Sequence, residues 1–185
     1  MRIVVSGTHA SGKSTLISDF SLTQRGFAVL PDPFDEIETE DPAGVASFLA
    51  QLRVAAARLR DSPPGTDVIA ERGPLDFLAY LRAVDELGRS SSAAALAAAE
   101  EERAVAAMRH VDLLIALPLT GDIVVDDEED PALRTAMDQA LLELLDDRHL
   151  CGGATVIEVT GNTSSRLASL EDAVRDLTEQ ETREG

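Results

Sequence analysis

The stretch Gly7-Thr8-His9-Ala10-Ser11-Gly12-Lys13-Ser14-Thr15 sets two glycines, a lysine and a hydroxyl at the spacing G-x-x-x-x-G-K-[ST]. Glycine reaches backbone angles closed to other residues, so such a loop can turn its N–H groups inward around phosphate oxygens. A helix starting at its end adds about half a positive charge. Lys13 is then placed to bridge the β- and γ-phosphates of a triphosphate. The Ser14 hydroxyl is placed to ligate Mg2+, and the Thr15 N–H to meet an inner phosphate. Thr8, His9, Ala10 and Ser11 complete the cradle, and His9 reads as a bystander to the chemistry. The expected ligand is ATP with Mg2+.

Lys13 is the single lysine among 16 basic residues; the rest are arginine. A bias toward arginine explains the scarcity, yet the one ammonium sits in the loop, where a compact point charge suits phosphate. Without another lysine, an N-K-x-D guanine-reading motif cannot exist, which argues against a Ras-like GTPase. The net charge of -18 argues against DNA or RNA as a partner. It does not argue against a bound triphosphate. Distant acids are screened over about 8 Å in physiological salt, whereas loop donors and Mg2+ act at contact range.

These residues need a frame. At 185 residues, with 44% hydrophobic composition, the chain reads as one soluble domain. The opening run MRIVVSG is too short for a signal peptide, and no stretch is long enough to cross a bilayer. One cysteine, Cys151, cannot form an internal disulfide, so the expected setting is cytoplasmic.

Strand and helix patterns alternate, which predicts an α/β architecture with a parallel sheet covered on both faces. Strands are expected at Arg2–Val5, Phe27–Leu30, Asp67–Ala70, Asp112–Leu117 and Ala154–Val159. The first helix buries Leu16, Ile17 and Phe20. The second is expected to start with Asp41 as N-cap and Pro42 in its first turn. Pro74 and Pro131 open further helices. The Ala-rich run Ser91–Arg109 reads as a helix, because alanine is the best helix former. It leaves two uses open, a homodimer contact or a solvated face. Leu167, Leu170, Val174 and Leu177 mark a last amphipathic helix.

Three further stretches carry a resemblance. ERGPLDFLAY, after the third strand, resembles the Asp/Glu-Arg element of P-loop nucleoside and nucleotide kinases, including deoxynucleoside and thymidylate kinases. VLPDP is similar to the strand-end Glu-Pro of deoxynucleoside kinases, here Asp32-Pro33. Gln51 and Arg58, seven apart on one helix, resemble the pair with which those kinases read a base. The resemblance implies a three-layer P-loop NTPase fold with strand order 2-3-1-4-5. It departs at Asp76, which is displaced from the deoxynucleoside kinase spacing.

Ligands of open α/β sheets sit at the carboxyl ends of strands, and Asp32, Glu71 and Arg72 all fall there. Asp32 is the candidate base, with Asp35 and Glu36 as neighbouring substitutes. Glu71 would hold Mg2+ through water, and Arg72 would neutralise charge on the transferring group. Each has a plainer reading, as a turn residue for Asp32 and a surface ion pair for the others. Phe34, Phe48, Phe77 and Tyr80 could stack on a base or fill the core.

In this family an Arg-rich lid follows the fourth strand. Here the segment about 118–134 holds one arginine, Arg134, beside Asp122, Asp126, Asp127, Glu128, Glu129 and Asp130. Such acids either cap the following helix or form a rim suited to a neutral or cationic substrate, which favours an uncharged acceptor over a monophosphate. Thr160, Gly161 and Asn162 match the turn that lies against adenine in these kinases; a plain turn with Asn162 as cap fits equally.

The expectation is a small-molecule kinase that passes the γ-phosphoryl of ATP to a hydroxyl, with a nucleoside-like acceptor. A nucleoside monophosphate kinase, which would draw on Arg53, Arg58, Arg72 and Arg82, and a natural-product or antibiotic kinase are the alternatives within the class. An ATP-binding regulatory switch is the alternative outside it.

Overall fold

A computed structural model describes residues 1–36, 41–119 and 130–184, the side chains of 181 and 184 excepted. The elements run β1 (Arg2–Ser6), α1 (Lys13–Thr23), β2 (Ala28–Leu30), a 3-10 turn (Pro33–Asp35), α2 (Val45–Asp61), β3 (Val68–Glu71), α3 (Pro74–Glu86), α4 (Ala93–Met108), β4 (Leu113–Ala116), α5 (Pro131–Leu145), β5 (Thr155–Glu158) and α6 (Thr163–Glu184). The strands form one parallel sheet in the order β2-β3-β1-β4-β5. This is the expected order.

Side chains alternate across a strand, and the sheet sorts its residues accordingly. Ile3 and Val5 face one layer with Leu16, Ile17 and Phe20 of α1 and Leu170 of α6. Val4 and Leu114 face the other, with Phe48 and Leu52 of α2, Leu78 of α3 and Met137 of α5. Leu75 through Leu81 are all buried, so α3 is enclosed rather than amphipathic. It packs against α2, α4 and α5, while α1 pairs with α6 on the opposite face. Burial on both faces explains why β1 and β4 read as continuous apolar runs.

The start of α2 corrects the sequence reading. Asp41 and Pro42 do not cap the helix; the Asp41 carbonyl accepts from the Gly44 N–H at 3.1 Å, and helix begins at Val45. Asp, Pro and Gly at the first, second and fourth positions are also the signature of a β-turn, and here the turn prevails. Phe27 lies outside β2 and packs edge-on against Phe20, ring centroids 5.1 Å apart. No described helix is long and apolar enough to cross a membrane.

Candidate active site

Residues 7–12 join β1 to α1 and form the phosphate loop. Gly7 has φ +152° and Gly12 +91°. A Cβ on Gly7 would stand 2.7 Å from Ser11 Oγ and 2.8 Å from the Leu117 carbonyl, so only glycine fits. Ala10 also has positive φ, +54°. The loop's curvature is therefore built from three left-handed residues. Thr8 and Ser11 are buried beneath it, and the Thr8 hydroxyl donates to the His9 carbonyl at 3.2 Å.

Lys13 is 3% exposed and donates from Nζ to the Thr8 carbonyl at 2.7 Å. Burial, followed by the nearby Arg72 charge, lowers its pKa to about 7. One residue on, Ser14 Oγ donates to Glu71 Oε1 at 2.8 Å, linking α1 to the end of β3 across 57 residues of sequence. A hydroxyl and a carboxylate on hard oxygen atoms are donors that suit Mg2+ beside a phosphate.

Arg72 follows β3 with φ +64°, an uncommon angle for a non-glycine residue. Its guanidinium is buried. Nε donates to Asp32 Oδ2 at 2.8 Å, and Nη1 to the Gly7 carbonyl at 2.7 Å. Its carbon lies 5.1 Å from the Phe34 ring centroid and 5.6 Å from that of Tyr80. Asp32 also accepts from the Phe34 N–H at 3.1 Å, which caps the 3-10 turn. Thus Asp32, Glu71, Arg72, Lys13 and Ser14 are brought to one end of the sheet.

Next to them lies a cavity of about 350 Å3. Phe34, Phe48 and Tyr80 supply its aromatic wall, Pro42, Ala43 and Leu133 its aliphatic one, and His9, Asp130 and Arg134 its polar groups. Phe48 and Tyr80 stack at 4.6 Å and 11°, with Phe34 edge-on to both. Phe77, by contrast, is core. Arg134, on the first turn of α5, donates from Nε to the His9 carbonyl at 3.1 Å. Asp130 caps α5 through the Leu133 N–H at 3.1 Å and pairs with Arg89, whose hydrogen bond lowers its pKa. Residues 120–129, which hold the other acids of the expected lid, lie outside the described residues.

Gln51 and Arg58 do not line this cavity. Gln51 is buried and donates from Nε2 to Ser47 Oγ at 2.8 Å. Arg58 donates to the Pro31 carbonyl at 2.7 Å and pairs with Glu36, fastening α2 to the segment carrying Asp32. Asp35 sits in the 3-10 turn.

On the other side of the loop, Gly12, Thr15, Leu16, Gly161, Asn162, Thr163 and Arg166 enclose a second cavity of about 220 Å3. Thr160 precedes it without lining it. Asn162 Oδ1 accepts from the Ser165 N–H at 2.9 Å, so it caps α6 while bordering the cavity.

Sequence reasoning assigned no role to two residues. Arg166 donates to the Ser11 carbonyl at 2.7 Å and the Gly161 carbonyl at 2.9 Å. It stands 155 residues from the loop it holds, and no local pattern announces that. Asp76 is fully buried and accepts from Ser6 Oγ at 2.7 Å, the Gly7 N–H at 2.9 Å and the Gly73 N–H at 2.8 Å. An acid at the third position of a helix opened by Pro74 is a capping signal. Its reach to β1 depends on the pairing of β1 with β3.

The fold is shared with deoxyadenosine kinase from M. mycoides bound to dATP (TM-score 0.74, 13% identity, 95% of this chain and 100% of that one). A second structure of that enzyme, with the products dCMP and a flexible dCDP, gives TM-score 0.73 at 12% identity over 96% of this chain and all of the other. Thymidylate kinase from Candida albicans gives TM-score 0.65 at 17% identity over 95% and 91%. No curated protein matches the chain in sequence. A family model described as an AAA domain matches residues 2–166, from the first residue of β1 to the arginine that closes the loop from α6. The chain belongs to this AAA-domain family and carries it on the P-loop kinase fold.

Proposed function

We propose that the protein is an ATP-dependent phosphotransferase that moves the γ-phosphoryl group to a hydroxyl of a small, nucleoside-like molecule. The observation that carries this reading is the Ser14–Glu71 hydrogen bond, which pairs two Mg2+-compatible oxygens beside Lys13. Among the described residues no three His, Cys, Asp or Glu side chains cluster for a metal. That fits an ion held by one hydroxyl, one carboxylate and phosphate oxygens. Mg2+ bound there would neutralise charge on the β- and γ-phosphates.

The rest follows from positions. The loop N–H groups and Lys13 hold the triphosphate, and Arg72 stands between Gly7 and Asp32 to offset charge on the moving group. Asp32 takes the proton of the acceptor hydroxyl. The oxygen bonds to the γ-phosphorus, the bond to the β,γ-bridging oxygen breaks, and its electron pair leaves with ADP. The cavity of about 350 Å3 houses the acceptor, and the smaller one beside Gly161 houses the base of ATP.

An uncharged acceptor is favoured over a monophosphate by where the arginines go. Arg53 pairs with Glu100, Arg82 with Glu101 and Arg58 with Glu36. The two at the acceptor cavity, Arg134 and Arg72, each donate to a carbonyl of the phosphate loop, at His9 and Gly7. Similarity in fold to deoxyadenosine kinase supports a nucleoside-like guest. A screen of ADP release across nucleosides, nucleoside monophosphates, amino alcohols and aminoglycoside-like compounds tests the proposal. Acceptor-dependent release supports it; slow ATP loss that no hydroxyl compound alters points instead to a regulatory switch.

A further inference from the structure

We infer that Asp76 is a positioning residue, whose carboxylate fixes the first peptide of the phosphate loop and the turn carrying Arg72 as one unit. The inference rests on the proposed nucleotide-binding function. Asp76 Oδ1 accepts from the Gly7 N–H, and Oδ2 from both Ser6 Oγ and the Gly73 N–H. Arg72, from the same turn as Gly73, donates to the Gly7 carbonyl. The residue that opens the loop is therefore gripped at its N–H by Asp76 and at its carbonyl by Arg72. Asp76 and Arg72 are themselves 4.0 Å apart.

A helix cap alone does not account for this arrangement. Capping Gly73 requires one acceptor, which a partly exposed side chain can provide. Asp76 is instead fully buried, as are Leu75, Phe77 and Leu78 on the same helix, and at such a position an apolar residue would pack without desolvating a carboxylate. Its remaining oxygen valence goes to a different strand, at the residue where β1 becomes the loop. Gly7 sits where an added Cβ would stand 2.8 Å from the Leu117 carbonyl, so the strand-to-loop junction is closely walled. Loss of the carboxylate frees the Gly7 peptide and also removes one anchor of the left-handed turn at Arg72.

The test replaces Asp76 by Asn, a change of shape so small that packing is preserved. An amide in either orientation sets its –NH2 against a backbone N–H, that of Gly7 or that of Gly73. Calorimetry with Mg·ATP, at a temperature well below the unfolding midpoint, should show Asp76→Asn weakened tenfold or more. Leu78→Ala, buried on the same helix and destabilising through a cavity, should stay within twofold of wild type. Equal weakening in both would assign the effect to general loosening and overturn the inference. Should Asp76→Asn not fold, Ser6→Ala removes one donor to the same carboxylate. It is expected to weaken Mg·ATP about threefold and to speed hydrogen exchange at the Gly7 amide. Wild-type affinity and unchanged Gly7 amide exchange in Ser6→Ala would overturn the inference alone. A wild-type protein that binds no nucleotide would overturn the proposed function and this inference with it.

Discussion

Arg72 donates to Asp32 at 2.8 Å, tying the segment after β2 to the end of β3 across 40 residues of chain. The pair lies between the phosphate loop, through the Gly7 carbonyl, and the aromatic cavity, through Phe34 and Tyr80. A carboxylate held in one orientation at that boundary can meet an acceptor hydroxyl, and what it does is separable from nucleotide binding. Asp32→Asn is expected to lower turnover at least 100-fold while Mg·ATP affinity stays within about threefold. Coupled ADP release and calorimetry on the same preparation check both halves. Full turnover in Asp32→Asn would move the base to another group.

Ser14 and Glu71 should show themselves through the metal. Ser14→Ala removes the hydroxyl of the 2.8 Å pair, and Glu71→Gln removes the negative charge and leaves one oxygen. Both are expected to raise the Mg2+ concentration for half-maximal turnover by about tenfold. Titration of Mg2+ at saturating ATP reads this directly, and an unchanged midpoint in both variants would place the ion elsewhere.

Lys13 gives the chain a pH signature. Burial, then Arg72, lowers its folded-state pKa from 10.5 to about 7, so between these values the unfolded chain holds more protons than the folded one. Stability of the wild type relative to Lys13→Met should therefore rise with pH through that window, by up to about 1.4 kcal/mol per pH unit. Below about pH 7 both states keep the proton and the difference levels off. Urea unfolding at pH 7, 8 and 9 checks the slope. A bound triphosphate favours the ammonium, so binding at pH 8 should take up a proton. Calorimetry in buffers of different ionisation enthalpy measures it.

The stacked pair in the cavity wall makes a claim about the acceptor. Phe48→Leu removes the flat partner of Tyr80 but keeps most of the volume. It should raise KM for the acceptor five- to tenfold and leave Mg·ATP affinity unaltered. Steady-state kinetics with each substrate varied in turn separates the two, and a rise confined to ATP would take the acceptor out of this cavity.

Local chemistry makes the phosphate loop legible in the sequence alone. Its glycines, lysine and hydroxyl all act within one turn of backbone, and the flanking strand and helix announce themselves by hydrophobic period. Sheet order is legible only through resemblance, because periodicity says which residues are buried and not which strands adjoin. The partners of Asp76, Arg166 and Arg58 are hidden for the same reason. Each bonds across 27 to 155 residues, at positions that only the folded sheet brings together. Gln51 shows the converse. Its spacing from Arg58 places both on one helix, but the helix buries Gln51, whose Nε2 donates to Ser47. Asp41-Pro42 carries two local signals at once, and the turn is the one the backbone uses.

The guanidinium of Arg166 joins Ser11 to Gly161, so one side chain of the final helix fastens the phosphate loop to the turn that borders the smaller cavity. In the proposed function, one side chain thereby ties together the two parts of the site that would receive the nucleotide. Inorganic triphosphate, which has no adenine to seat, would fill one part and leave the other empty, and a chain cut ahead of α6 would lose its grip on phosphate although every loop residue were still present.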